Sequence, residues 1–344
     1  MPATINPAPT AVDEILDPAW LSASLDLPVR AVEVVETIKT VATKVRLRID
    51  LDDALPSQSL CVKGFFDHDP LPANRARSTQ NEVRFYREIA PRLDIVVPHA
   101  RYARIDEASG HGLLIMDDVV ARGGRFLSAL EPYSPEQARD SLAALATLHA
   151  AHWHESGLDD VPWVGDWLQS LADTPLMPAT DLQLLMDDGR FATHPGLADA
   201  ERLHHGIRAL AERGRGDVRT LVHGDAHAGN LYTIDGRMAL IDWQVLQRST
   251  WAIDVAYHVG AALSVEQRRS HERALLESYL DALRARGVDA PPATTAWDSY
   301  RAGMIYGYYL WAVTRRVARP ITEEFSQRLV TAVDDLDSYA LLGV

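Results

Sequence analysis

The chain has 344 residues, enough for one large or two medium domains, and 47% of them are apolar, so real cores can form. Its formal charge is −14, from 48 acidic against 34 basic residues, and no Lys/Arg block could track a phosphate backbone, so nucleic acid is not an expected partner. The single Cys61 excludes an internal disulfide and a multi-cysteine zinc site, which fits a reducing cytoplasm.

The amino terminus is Pro-rich and lacks the basic start and apolar core of a signal peptide, and no stretch is long and apolar enough to span a membrane. A cytoplasmic protein without membrane association is expected. Residues 1 to about 30 read as a mobile tail followed by a short amphipathic helix from about Asp17 to Leu25, with Pro18 in its first turn and Trp20 and Leu21 docking it. Residues 32–38 and 43–49 alternate as paired strands, placing Val45, Leu47 and Ile49 on one face around a turn at 39–42. A third strand, 59–64, carries Lys63. In the helix at 81–90, Glu82 shares a face with Phe85, Tyr86 and Ile89, and an acid on a buried face needs a counter-charge, which Lys63 can supply. A hairpin follows, with strands at 99–105 and 112–116, and runs into Asp117-Asp118-Val119.

From about residue 120 the pattern turns helical. Residues 135–154 read as one helix with Ala138, Leu142, Leu145, Leu148 and His149 along its buried stripe. His149, His152 and His154 have partial metal-ligand spacing but no further ligand nearby, so packing is the better reading. The helix at 299–313 is apolar nearly all round, which implies burial on two sides.

The most informative stretch is Leu221-Val-His-Gly-Asp-Ala-His-Ala-Gly-Asn-Leu231, followed by Leu240-Ile-Asp-Trp-Gln244. It reads as strand, tight loop and strand, then a hairpin turned by Asp235-Gly236 that ends at Asp242. Such a hairpin can bring Asp225, Asn230 and Asp242 together. Phosphoryl transfer needs this set: one carboxylate to orient the attacking hydroxyl and take its proton, and an amide oxygen with a second carboxylate to hold Mg2+.

His-Gly-Asp, four residues, Asn, then Ile-Asp-Trp-Gln resembles the aminoglycoside phosphotransferase and choline kinase superfamily, with the ecdysteroid-kinase-like branch nearest. Gly224 stands where protein kinases have Arg, and Trp243-Gln244 where they have Phe-Gly, as in small-molecule kinases. The resemblance implies an α+β, bilobal protein-kinase-like fold: a docking segment at 1–30, a small antiparallel β lobe at 31–116 and a mainly helical lobe at 117–344. It implies Asp225 as the catalytic base, Asn230 and Asp242 as magnesium ligands, and Lys63 on the ATP phosphates, oriented by Glu82. The turn at 39–42 would cover the phosphates. It contains no glycine, so the Thr40 and Thr43 hydroxyls stand in for the usual backbone amides. Asp117 would offer its carbonyl and Val119 its amide to the nucleotide base. Asp254 would support the catalytic loop from below, and His223 would brace it. Residues 155–200 resemble the variable insertion that shapes the acceptor pocket.

The expected function is an ATP-dependent O-phosphotransferase that acts on a hydroxyl of a small molecule, with no protein partner implied. Two alternatives stay open: an inactive nucleotide-binding sensor of the same fold, and a kinase whose acceptor is a hydroxylated lipid, sterol or hydroxyacyl thioester.

Overall fold

The computed structural model describes residues 6–52, 55–66 and 71–344. The start of the expected tail, residues 1–5, lies outside them. The chain groups into two units: one comprises the segment up to Arg92, Val97–Arg125 and Ile241–Val245, the other Leu93–Val96, Phe126–Leu240 and Leu246–Val344.

In the first unit a short helix α1 (Val12–Ile15) precedes α2 (Pro18–Leu25), which Asp17 caps by accepting the Ala19 amide at 2.9 Å. Residues 6–8 are not a loose tail. The Trp20 indole donates to the Asn6 carbonyl at 2.9 Å, the Tyr102 hydroxyl donates to Pro7 at 2.7 Å, and Ala8 is fully buried. Strands β1 (Val29–Lys39), β2 (Thr43–Leu51), β3 (Gln58–Gly64), β4 (Ala100–Ile105) and β5 (Gly112–Asp117) form an antiparallel sheet in the order β1-β2-β3-β5-β4. Strand alternation sends Val45, Leu47, Ile49, Leu60 and Val62 into one core with Trp20 and Leu21. The opposite face carries Lys63. Helix α3 (Ala73–Arg84) starts eight residues before the helix read from the sequence and ends in a π turn over Phe85–Ile89, a local irregularity that is frequent at functional sites.

The two-residue strand β6 (Arg125–Phe126) straddles the boundary, and the second unit contains α4 (Pro135–Ala151), α5 (Trp167–Asp173), α6 (Ala179–Met186), α7 (Ala200–Gly214), β7 (Arg219–Val222), β8 (Leu231–Ile234), β9 (Arg237–Leu240), β10 (Gln247–Thr250), α8 (Ala252–Ala262), α9 (Val265–Arg284), α10 (Ala293–Ala312), α11 (Arg319–Asp335) and α12 (Ser338–Leu342). A capping box between Ser134 and Gln137 starts α4. The helix stops at Ala151 rather than running to 154, because the backbone turns out of helical geometry and His154 is left-handed at φ 55°. Strands β8 and β9 form the expected hairpin, and β7 pairs with β10.

Helices α8 and α10 approach so closely that neither Gly303 nor Gly307 has room for a side chain. A Cβ on Gly303 would lie 2.7 Å from the Ala252 carbonyl oxygen, and one on Gly307 would lie 2.5 Å from the Tyr257 ring. Among the described residues no helix is long and apolar enough to cross a membrane.

Candidate active site

Strand β7 ends at Val222, and the following loop needs a reversal that only glycine makes without strain: Gly224 has φ +81°. Asp254, fully buried near the start of α8, holds this loop. It accepts the His223 amide at 2.6 Å and the Gly224 amide at 2.8 Å, while the His149 ring lies 3.1 Å away. Burial works to raise the Asp254 pKa, but the His149 hydrogen bond and the amides outweigh it and hold the carboxyl below its ordinary value. His223 braces the loop as well, its Nδ1 accepting the Asp225 amide at 3.1 Å.

These contacts present Asp225, whose side chain is 27% exposed. The Asn230 amide nitrogen donates to the Asp225 carbonyl at 2.8 Å and to its Oδ2 at 3.0 Å. With Nδ2 committed to two acceptors, Asn230 has its amide oxygen left for a hard cation. The Tyr257 hydroxyl donates to Asp225 Oδ1 at 3.2 Å and receives the Trp311 indole N–H at 2.8 Å. Burial first, then the Asp225 charge, raises the Tyr257 pKa well above its ordinary value, so the phenol stays protonated. His227 lies beside them, Nε2 at 3.7 Å from Asp225 Oδ1, with its ring edge-on to Trp311 and Phe325.

Sequence reasoning did not find Tyr257, and it left Trp311 to core packing. Both contacts are long-range: Tyr257 is 32 residues from Asp225, and Trp311 is 54 from Tyr257. The position of Trp311 is fixed at the end of α10 by Arg190, a buried residue of the 155–200 segment. Arg190 Nη1 donates to the carbonyls of Trp311 at 3.0 Å, Ala312 at 3.2 Å and Thr314 at 2.9 Å, closing a helix end that lacks a glycine cap. The three histidines read as packing residues turn to different partners. His149 contacts Asp254 and Tyr279, His152 Nδ1 lies 3.0 Å from the Ser156 carbonyl, and His154 sits in the turn beyond the helix.

In the first unit, Lys63 and Glu82 meet at 2.7 Å, each 3% exposed, and the same ammonium lies 3.0 Å from Asp242 Oδ1. Burial alone would lower the Lys63 pKa, but Asp242 and Glu82 overcome it and raise the value, so the lysine stays charged. The Phe85 ring stacks on Trp243 at 3.7 Å between centroids, which seats the segment after Asp242 against the helix that carries Glu82. Asp242 itself is left-handed at φ 72°, a conformation that costs an L-residue on the order of 1–2 kcal/mol and that tends to persist where function requires it.

The other residues read from the sequence are placed as follows. Thr40 donates its hydroxyl to the Ala42 carbonyl at 3.1 Å, so its proton is committed within the turn; Thr43 begins β2 opposite Gly64. Asp117 gives its amide to the His99 carbonyl at 3.0 Å, and its side chain is gripped by Arg101 and Arg122, each at 2.7 Å. Its neighbour Asp118 is buried, accepting the Val120 amide at 3.0 Å and the Arg46 guanidinium at 3.0 Å. Val119 is buried, and its carbonyl accepts Gly124 at 2.8 Å.

A small antiparallel sheet with one long helix, a mainly helical unit and a His-Gly-Asp loop define a kinase-like fold of the small-molecule kinases, and solved structures share it. An ethanolamine kinase from Plasmodium vivax is 14% identical with a TM-score of 0.52, covering 92% of this chain and 86% of its own. A choline kinase from Cryptosporidium parvum is 11% identical with a TM-score of 0.54, covering 95% and 92%. A spectinomycin phosphotransferase solved with ADP and spectinomycin is 11% identical with a TM-score of 0.51, covering 95% and 98%. The profile of the phosphotransferase enzyme family, which includes the aminoglycoside phosphotransferases, matches residues 49–301, and the chain belongs to that family. No curated protein sequence matches the chain.

Proposed function

We propose that this protein is an ATP-dependent O-phosphotransferase that moves the γ-phosphoryl group to a hydroxyl of a small molecule. The observation that carries the reading is the Asp225 carboxylate, held at both oxygens, by Asn230 at 3.0 Å and Tyr257 at 3.2 Å, yet still open to an approaching hydroxyl. Two donors fix the direction in which the carboxylate points, as a base for an alcohol requires. In this reading the acceptor hydroxyl gives its proton to Asp225, its oxygen bonds to the γ-phosphorus, and the bond to the bridging oxygen breaks with its electron pair leaving on ADP.

Lys63 would grip phosphate oxygens, kept charged by Glu82 and Asp242. Asp242 and Asn230 are oxygen donors of the kind that magnesium takes, and the bound ion would neutralise phosphate charge. Thr40, Thr43, Asp117 and Val119 remain in the proposal as nucleotide contacts, Thr40 through its turn rather than its hydroxyl proton. The family match reaches the superfamily, so the ecdysteroid-kinase-like branch is also part of this reading. The likeness in fold to kinases named for ethanolamine, choline and spectinomycin supports a small-molecule acceptor.

The test is transfer of labelled γ-phosphate from ATP into a fractionated metabolite pool by wild type and Asp225→Asn, with products identified by mass. A labelled small molecule seen with wild type alone supports the proposal. Equal labelling by both proteins, or none with wild type, overturns it.

A further inference from the structure

The turn between β1 and β2 has no glycine, and the hydroxyl of Thr40 is already engaged on Ala42, so a phosphate grip on this side needs another donor, and Lys44 stands one residue into β2. Strands β2 and β3 pair antiparallel with Lys44 directly opposite Lys63. Directly opposed residues project from the same face, so both lysines rise from the face opposite the Val45–Val62 core. Like charges in opposed positions destabilise a sheet unless something neutralises them. Lys63 has its counter-ions, Glu82 at 2.7 Å and Asp242 at 3.0 Å. Lys44 is in a different position: among the described residues its ammonium pairs with no carboxylate within 4.0 Å, and it donates to the Thr40 hydroxyl at 3.4 Å. It is half-buried, and that burial, followed by the nearby Lys63 charge, lowers its pKa.

A half-buried ammonium placed against a second one, with the available carboxylates taken by its neighbour, is a site short of negative charge. We propose that Lys44 is a second phosphate-binding lysine, which replaces with a charged side chain the backbone amides that a glycine-rich turn would present to the ATP phosphates. Thr40 steadies it: the hydroxyl proton goes to Ala42, and the oxygen faces the Lys44 ammonium. A polyphosphate chain reaching Lys63 would then meet two ammonium groups side by side, each able to make charge-assisted hydrogen bonds. This inference rests on the proposed use of ATP, and the experiment separates the two.

Calorimetric binding of ATP and of adenosine to wild type, Lys44→Met and Lys44→Arg, without any acceptor, tests it. The expected result is a loss of about 10- to 100-fold in ATP affinity for Lys44→Met, with adenosine affinity unchanged and partial recovery in Lys44→Arg. Thermal unfolding of the nucleotide-free proteins serves as the folding control, and removal of one of two opposed charges should leave the midpoint unchanged or higher. ATP binding equal in wild type and Lys44→Met overturns the role of Lys44 and leaves the kinase reading standing. Equal losses for ATP and adenosine also overturn it, since they mark a structural defect. No ATP binding by wild type removes the kinase reading and this inference with it.

Discussion

The Trp311 indole N–H donates to the Tyr257 hydroxyl oxygen at 2.8 Å. An indole can only donate, so this bond occupies a lone pair on the tyrosine oxygen and turns the phenol proton toward Asp225 Oδ1, 3.2 Å away. Tyr257→Phe removes one of the two side-chain donors that fix the carboxylate. Phosphoryl transfer should fall roughly 10- to 100-fold in kcat while ATP affinity stays within about twofold, because a hydrogen bond to a charged group contributes about 1.5–3 kcal/mol. Trp311→Phe should produce a smaller loss of the same kind. Steady-state kinetics on the acceptor found by metabolite screening would check both, and a change confined to KM would argue against the orienting role.

Asp225 and Asp242 should fail differently. Asp225→Asn should lower turnover by several orders of magnitude with nucleotide affinity near wild type, whereas Asp242→Ala should weaken magnesium-nucleotide binding itself. Titration of ATP at several magnesium concentrations separates them, and matching losses of both properties in both variants would contradict the assignment.

Removing the brace beneath the loop should show as instability. Asp254 is fully buried and satisfies the His223 and Gly224 amides, so Asp254→Ala leaves buried donors unpaired at a cost of about 3–5 kcal/mol. Urea denaturation should show a large drop in midpoint with little change in slope. A loss under about 1 kcal/mol would mean that the loop holds itself.

Stability should also fall on mild acidification. His258 donates Nδ1–H to the Ala226 carbonyl at 2.8 Å and turns Nε2 to Ser141 at 2.7 Å, and burial depresses its pKa from 6.5 to about 4. Between those two values the unfolded chain takes up a proton that the folded chain does not. Stability is therefore complete above pH 6.5 and declines as pH falls toward 4, by about 3 kcal/mol from this residue. His111, also depressed by burial, acts in the same direction. Urea midpoints measured across this range check the slope, and a flat profile would place His258 in solvent.

What was legible in the sequence was whatever the chemistry keeps local. Asp225 and Asn230 are five residues apart because one loop must bend them together, and their spacing shows it. The Lys63–Glu82 pair could be read because helical periodicity puts Glu82 on a buried face, where a charge demands a partner. Antiparallel register is not written in either strand alone, so Lys44 could be placed on a strand but not opposite Lys63. Tyr257 and Trp311 looked like ordinary core aromatics, since nothing in their own segments reveals that one phenol and one indole end at a carboxylate supplied by a distant loop. The ion pairs of Asp117 and Asp118 were hidden for a related reason: their partners Arg46, Arg101 and Arg122 come from other strands and turns.

The near-contact of α8 and α10 at Gly303 and Gly307 sets how this protein can diversify. Tyr257 and Trp311 ride on helices whose backbones leave no room to slide or to accept a methyl group, so Asp225 and its two aromatic neighbours form a frame that cannot be retuned in small steps. If the proposed activity holds, new acceptor preferences have to arise in the segment that hangs from that frame, residues 155–200, whose Arg190 closes the end of α10. A library confined to that segment would explore substrate range while keeping the fold, whereas one that included Gly303 or Gly307 would yield mainly misfolded chains.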